Sequence, residues 1–534
     1  MTPTNANTTV AERSNRRRLA SPDGTFQSTT TTMPTTDTIT PSAATACADQ
    51  LREIREFYDR AGDSVNWAGR HYRRLLAKYY RRMIPEQASV LEIGCGSGSL
   101  LGMLPNRDVT GIDLSPAQVE LARQSLPHGK FYVQAGEELT LDRTYDYIII
   151  SDTINQAADV QTLFECLRKA ANPKTRLILN FYNTAWRPIL GIASLLGWKA
   201  PQPPSNWLSP TDVENLLELA GWSLIKQQYR GLLPVPALGL DKLLNRFVAP
   251  LVPWLNLTVF QIARPAPAAI PEPKSVTVVI PARNEAGNIR AAIARMPQLG
   301  SRTEVIFVEG HSKDDTWETI ERVMKDFDAG KIVRTSETGD TVRVDAAQGA
   351  KKLEIVAIRQ SGKGKGNAVR EAFDIATGDI LMILDADLTV PPEDLPKFYN
   401  ALAGGKTEFA NGVRLVYPME KRAMRFLNLC ANRFFGLSFS WSLGQSIKDT
   451  LCGTKVLFRD DYRTIAANRA YFGDFDPFGD FDLLFGADRL NMKITDIPIR
   501  YRERTYGETN ISRFRHGALL FRMLWIAIRK LKLG

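Results

Sequence analysis

Residues 88–104 read ASVLEIGCGSGSLLGML, and the order of residue types already dictates a local shape. Val90, Leu91 and Ile93 form an apolar run of the length of a short buried strand, Gly94, Gly96 and Gly98 follow, and an apolar stretch with helical spacing comes next. The pattern predicts a strand, a tight turn and a helix. Glycines at the turn let the backbone pass close to a bound molecule, and the helix opening behind them aims unpaired N–H groups at polar or anionic atoms.

The spacing discriminates between ligands. A dinucleotide loop requires GxGxxG, whereas here the third glycine comes one residue early, at Gly98, and the acidic Glu92 precedes the turn; this favours S-adenosylmethionine over a nicotinamide dinucleotide. The next strand, DVTGIDLS (108–115), ends in Asp113, nineteen residues after Gly94, where a carboxylate can accept hydrogen bonds from two ribose hydroxyls. FYVQAGEEL (131–139) puts Gly136 and Glu137 near an adenine edge, and YDYIIISD (145–152) is a fourth strand. Helix and strand patterns then alternate through TLFECLRKAAN, TRLILNFYN, SPTDVENLLELAGW and WSLIKQQYR. Residues 48–264 thus resemble a class I S-adenosylmethionine-dependent methyltransferase with a Rossmann-like fold. The resemblance implies that Glu92, Gly94, Gly96, Gly98, Asp113, Gly136 and Glu137 hold the cofactor, with Ser151 and Asp152 at its methyl end. No motif names the methyl acceptor.

At 534 residues with 44% hydrophobic and 24% charged residues, the chain is too long for one core and has ordinary globular composition. Five scattered cysteines without a CxxC pair, and four scattered histidines, exclude a disulfide framework and a zinc ribbon and fit a reducing cytosol. Of the net charge of +10, much lies in residues 500–534, where nine Arg and Lys face Glu503 and Glu508. That asymmetry points to an anionic partner: nucleic acid, a membrane surface or a phosphorylated ligand. Residues 1–45 are rich in Thr, Ser and Asn, carry Arg16–Arg18 and lack an apolar segment, so they read as a disordered tail and not as a secretory signal. The most apolar run, FVAPLVPWLNLTVFQIA (247–263), is broken by Pro250 and Pro253 and does not reach the length of a membrane span.

A Pro/Ala-rich segment, residues 265–274, reads as an extended linker. From residue 275 the alternation restarts: SVTVVIPARNEAGNI, TEVIFVEGHSKDDTWETI and GDILMILDADLTVPPEDL are hydrophobic strands with polar carboxyl ends, the edge at which open α/β sheets bind ligands. Asp385 and Asp387 are alternate residues of what reads as an extended segment, so both carboxylates face one hard cation, magnesium or manganese. Such an ion bridges diphosphate oxygens and offsets the charge on a leaving nucleoside diphosphate. With RQSGKGKGNAVREAF, DTLCGTKVLF, GDFDLLFGADRL and PIRYRERTYGETNISRFRHG, residues 275–534 resemble family 2 glycosyltransferases of the GT-A fold, and among them the dolichyl- or polyprenyl-phosphate sugar synthases. The chain is therefore expected to be α/β, with two nucleotide-binding-type domains after the tail.

The second resemblance implies that Pro281, Arg283, Glu285 and Glu309 hold the nucleoside of a nucleotide-sugar, that Gly364, Lys365 and Gly366 line its diphosphate, and that Asp385 and Asp387 hold the metal. Asp482 falls where relatives carry an acid facing the sugar. A polyprenyl phosphate needs no general base, since its second ionisation lies near pH ~6; arginines position it, and the resemblance offers Arg414, Arg425, Arg504 and Arg513. Membrane contact is expected from EKRAMRFLNLCANRFFGLSFSWSLGQ and from a C-terminal interfacial helix, in which Leu519, Leu520, Met523, Leu524, Ile526 and Ile528 offer apolar surface and Arg522, Arg529, Lys530 and Lys532 meet headgroups. The expected location is the cytoplasm, peripherally on the inner membrane face. Departures from relatives, Glu309-Gly310-His311-Ser312, Thr389 and Thr509-Asn510, leave sugar and nucleoside open, and residues 336–352 look like an insertion. Two other readings use the same residues: a saccharide or protein hydroxyl as acceptor, with Asp482 as general base, and a methyltransferase-like region that binds without turnover. Nucleic acid is not expected as a partner, because the basic surplus lies at the far end of the second domain and no NPPY-like loop is present.

Overall fold

A computed structural model describes residues 43–62, 67–195, 202–203, 205–267, 272–328, 334–335, 341–342, 353–417, 426–469, 480–504, 506 and 513–533. The tail predicted for residues 1–45 lies outside these up to residue 42, as does most of the segment read as an insertion. Residues 47–534 form one compact unit, built on two seven-stranded sheets.

The first sheet uses β1 (Val90–Ile93), β2 (Val109–Asp113), β3 (Lys130–Val133), β4 (Tyr145–Ser151), β5 (Ala171–Tyr182), β6 (Trp222–Arg230) and β7 (Thr258–Pro265), in the order 3-2-1-4-5-7-6. β1, β2, β3, β4 and β5 run parallel, and β7 is antiparallel to both β5 and β6. All four residues of β1 are buried, as a strand covered by helices on both faces must be. The order reverses between β1 and β4, and a crevice opens there at the strands' carboxyl ends.

The second sheet contains β8 (Val276–Ala282), β9 (Thr303–Glu309), β12 (Leu353–Arg359), β13 (Ile380–Ile383), β14 (Phe409–Val413), β15 (Lys455–Phe458) and β16 (Ile494–Pro498); β10 (Arg334–Thr335) and β11 (Thr341–Val342) form a separate ribbon. The order is 12-9-8-13-15-14-16, with β15 antiparallel to β13 and β14. Its reversal lies between β8 and β13, which places the segment after β13, Asp385 included, at the mouth of a second crevice. Each sheet has an apolar cluster on either face.

The sequence predicts domains strung on a linker; in the structure they are packed together, and the seam is largely ionic. Arg176 of β5 donates to Glu408 Oε1 at 2.8 Å and to the Asn491 carbonyl at 2.8 Å. Arg264 of β7 donates to the Gly405 carbonyl at 2.6 Å, and Lys226 of β6 pairs with Asp488 at 3.0 Å. Asn491, held at φ 52°, reaches across to the Met83 carbonyl at 2.8 Å. All of these side chains are buried or nearly so. A buried charge costs several kcal/mol when its partner is removed. The C-terminal helix, Arg513–Ala527, corrects the sequence reading: Leu520, Met523 and Leu524 point into the core, and Phe521 and Trp525 face outward beside Arg522.

Arg176→Met leaves Glu408 short of its closest countercharge and is expected to cost about 3–5 kcal/mol, read as a lowered urea midpoint at unchanged slope. A loss below about 1 kcal/mol would show that Arg264, 3.7 Å from the same carboxylate, already neutralises it.

Candidate active sites

At the first crevice, Gly94, Gly96 and Gly98 all have positive φ (69°, 52° and 72°), which L residues adopt at a cost. A Cβ at Gly94 would also fall 2.3 Å from Thr153 Oγ1. Asp113 ties the loop to the end of β2: its Oδ2 accepts from the Gly96 amide at 2.8 Å and its Oδ1 from the Ser115 amide at 2.9 Å. Burial raises the Asp113 pKa above the ordinary value despite these amides. Glu92 is buried at the carboxyl half of β1, and its Oε2 has no hydrogen-bond partner among the described residues. Desolvation pushes its pKa well above the usual carboxylate range, against the pull of Arg73. An orphaned acid behind a positive-φ glycine cradle fits a cationic ligand with an amine, so these residues fit S-adenosylmethionine.

Gly136 and Glu137 lie on the far side of that crevice. A Cβ at Gly136 would fall 2.5 Å from Leu163 Cδ1, and Glu137 Oε1 accepts from the Ala158 amide at 3.0 Å, so both hold the turn against the helix Val160–Leu167. At the end of β4, following Ser151, Asp152 has φ 59°, and its Oδ1 accepts from Asn180 Nδ2 at 2.7 Å and from the Tyr72 hydroxyl at 3.3 Å. Tyr72 also meets Thr258 Oγ1 at 3.0 Å, and Tyr80 donates to Asn180 Oδ1 at 2.7 Å. Burial, then Asp152, drives the Tyr72 pKa far up, so this phenol stays protonated. Sequence reasoning missed Tyr72, which comes from the helix Trp67–Met83 ahead of the first strand; the Asn180 of NFYN was the available signal.

The second crevice gathers acids and bases from four segments. Asp385 does not sit in an extended strand as expected: β13 stops at Ile383, and residues 385–388 form a turn, with the Leu388 amide on the Asp385 carbonyl at 3.1 Å and Leu388 at φ 51°. Lys365, the first residue of the helix Lys365–Ile375 after Gly364 and followed by Gly366, pairs with Asp385 Oδ1 at 2.7 Å. Burial would raise the Asp385 pKa, but Lys365, with Arg414 and Lys455 behind it, holds it below the ordinary value. Asp387 Oδ1 accepts from the Thr389 amide and hydroxyl at 3.1 and 2.9 Å. Arg504 bridges Asp387 Oδ2 at 2.6 Å and Glu285 Oε1 at 3.3 Å. The strand-like segment carrying Arg504 is laid across the site by the Arg502 amide on the Thr389 carbonyl, at 3.0 Å.

Gly453, in DTLCGTKVLF, was not singled out by sequence, yet a Cβ there would fall 2.2 Å from Asp385 Oδ2 and 2.3 Å from Lys365 Nζ. The floor in front of Asp385 thus has room only because it is glycine. Among the described residues no group of three or more His, Cys, Asp or Glu is placed to hold a metal. Asp385 beside that floor and Asp387 on the same turn are hard carboxylates of the kind that fit a divalent ion.

Other expected residues are placed differently. Arg414, expected at an acceptor phosphate, is half-buried and closed on Asp449 by two bonds of 2.7 and 2.9 Å. Asp482, on the helix Asp480–Arg489, is held by Arg469 at 2.7 Å and has Arg370 at 3.9 Å. Glu309 Oε1 accepts from the Ser312 amide at 2.5 Å and so caps its own turn, while Pro281 pairs with Val308 in the sheet and Arg283 is exposed just beyond it. Arg513 opens the C-terminal helix, and Arg425 lies outside the described residues.

For Glu92 the raised folded pKa sets the sign of a pH effect: its contribution to stability is complete below the ordinary carboxyl range and is lost as pH rises through the folded value. Glu92→Gln is expected to flatten that decline in urea melts of the ligand-free chain. It should also weaken S-adenosylmethionine binding about tenfold or more by calorimetry; unchanged affinity would place the ligand elsewhere.

The comparisons with known proteins divide at the same seam. The model of a methyltransferase domain matches residues 68–227, and that of glycosyl transferase family 2 matches residues 277–342 and 341–465. The glycosyltransferase AglJ of Haloferax volcanii is 28% identical over 258 residues, covering 48% of this chain and 73% of its own. A dolichol-phosphate mannosyltransferase of Pyrococcus furiosus is 30% identical over 143 residues, 26% of this chain and 33% of that protein. A malonyl-[acyl-carrier protein] O-methyltransferase of Priestia megaterium is 31% identical over 103 residues, 18% of this chain and 38% of that one. The chain therefore spans only a third or so of the latter two relatives. Its matches, its two sheets and its two crevices agree: this is a transferase that joins a methyltransferase domain to a domain of glycosyl transferase family 2.

Proposed function

We propose that the C-terminal domain transfers a sugar from a nucleotide-sugar to a polyprenyl phosphate, and that the N-terminal domain transfers a methyl group from S-adenosylmethionine to an acceptor that no motif names. The observation that carries the first reading is the gathering of the Lys365–Asp385 pair and the Asp387–Arg504–Glu285 bridge at the edge of β8 and β13. Such a set exchanges its internal ion pairs for those of an incoming metal and diphosphate. Similarity to a dolichol-phosphate mannosyltransferase supports the phosphate acceptor.

In the reaction a phosphate oxygen of the acceptor attacks the anomeric carbon while the bond from that carbon to the diphosphate oxygen breaks, the electron pair leaving with the nucleoside diphosphate. Magnesium or manganese on Asp385 and Asp387, when bound, offsets the charge on that leaving group. In this reading Lys365 would meet the diphosphate, and Arg504, released from Asp387, would meet the acceptor phosphate. In the first crevice, Asp113 would take the ribose, Glu92 the cationic end of the cofactor, and Asp152, Tyr72 and Asn180 would orient the acceptor. No helix of the described residues is long and apolar enough to cross a membrane; with Phe521 and Trp525 outward, we place the enzyme peripherally on the cytoplasmic face.

Incubation with nucleotide-sugars, polyprenyl phosphate and magnesium should yield glycolipid, and chelation should abolish it. No glycolipid with any common donor overturns the reading. Asp387→Asn is expected to lower kcat at least about 100-fold, or about 2.7 kcal/mol in the barrier. Gly453→Ala should also lower kcat, by displacing Lys365 and Asp385. Asp482→Asn should retain appreciable rate; complete loss with native folding would point to a hydroxyl acceptor and a general base.

A further inference from the structure

The methyltransferase domain carries an apolar surface turned away from its own core. The helix Arg187–Leu195, RPILGIASL, has no buried residue, and Ile189, Ile192 and Leu195, spaced three apart, are 50%, 58% and 88% exposed. Segment 238–255 is inverted in the same sense. Leu240, Leu243 and Phe247 share one exposed stripe, with Leu251, Trp254 and Leu255 exposed after it. Its buried side is polar over the first two turns, before Ala249 and Pro250: Asp241 accepts from the Ala237 and Gly239 amides at 3.1 and 3.2 Å, and Asn245 bonds both the amide and the carbonyl of Leu233. A helix facing water shows the reverse arrangement, and an apolar patch of this extent marks an interaction site.

The two stretches are joined at their ends, and the second touches the other domain. Trp186 Nε1 donates to the Leu255 carbonyl at 2.8 Å, and Asn183 Nδ2 to the Trp254 carbonyl at 3.0 Å. Trp441, on the helix Phe426–Leu443, donates to the Pro250 carbonyl at 3.1 Å. One stripe of that helix holds Phe434, Leu437 and Trp441, and Phe434 meets Phe521 at 5.9 Å between ring centres. The charges on the face are of one sign. Arg187, Lys242 and Arg246 lie within these stretches, Arg522 lies beside Phe521, and Asp241, the single acid of residues 186–195 and 238–257, is buried. Basic and aromatic residues around an outward aliphatic stripe match an anionic lipid surface.

We propose that residues 186–195 and 238–255 are a membrane-docking surface of the methyltransferase domain, whose occupant is a bilayer with anionic headgroups. The surface adjoins the methyl-transfer crevice, because β7 starts at Thr258, directly after it, and Thr258 bonds Tyr72. Docking therefore brings that crevice to the lipid, next to the glycosyltransferase domain.

Flotation of the full chain with vesicles of phosphatidylcholine and phosphatidylglycerol, without polyprenyl phosphate, tests this independently of the glycosyl reaction. The protein should float, and two variants, Ile192→Glu with Leu195→Glu and Leu243→Glu with Phe247→Glu, should each lower the vesicle-bound fraction about tenfold while S-adenosylmethionine binding stays unchanged. Native chain left in the bottom fraction, or variants floating as well as it does, overturns the proposal. So does a lipid-free dimer that these substitutions break and vesicles do not compete with, which would make the face a contact between two copies.

Discussion

Much of this molecule depends on placing charge where water is nearly absent. Arg176, Arg264, Lys226, Glu408 and Asp488 meet in a seam that a separate domain would expose to solvent. Each ion depends on a partner from the other domain, so desolvation penalises any arrangement in which one side shifts without the other. The directional bonds of Arg176 to both Glu408 and the Asn491 carbonyl add register to that penalty. Two crevices, each at its own sheet's switch point, are thereby carried by one compact body.

The same logic operates at smaller scale in the glycosyltransferase crevice. Asp385 and Asp387 lie on one turn and are answered by different cations, Lys365 from a helix start and Arg504 from a crossing segment. Glycine at 453 keeps space before one carboxylate, and the Thr389 amide and hydroxyl orient the other. Glu285, pushed above its ordinary pKa by burial, shares Arg504. The site is balanced without a ligand and has exchangeable partners for one.

What could be read from sequence were the features encoded locally. The loop from Gly94 to Gly98, Asp113 nineteen residues later, and the acids at 385 and 387 are short patterns whose chemistry follows from spacing. The geometry around them was less legible. Extended alternation was the simplest reading of LDADL, and nothing within those five residues reveals that Leu388 turns the chain. Arg414 looked like a phosphate ligand because its partner, Asp449, is thirty-five residues away. The seam contacts join residues hundreds of positions apart, beyond any periodicity. Apolar spacing in RPILGIASL and in the C-terminal helix marks a stripe but not its direction: one proves outward, and the other sends its leucines inward.

The seam also bears on how the polypeptide tolerates dissection. Severing it within 265–274 would leave the first half with naked guanidinium and ammonium groups along β5, β6 and β7, and the second with stranded carboxylates at 408 and 488. β6 and β16 lie at the ends of their sheets, so each fragment would also carry a border ready to zip onto strangers. Recombinant halves would thus inherit insolubility from seam charges that the intact polypeptide keeps buried.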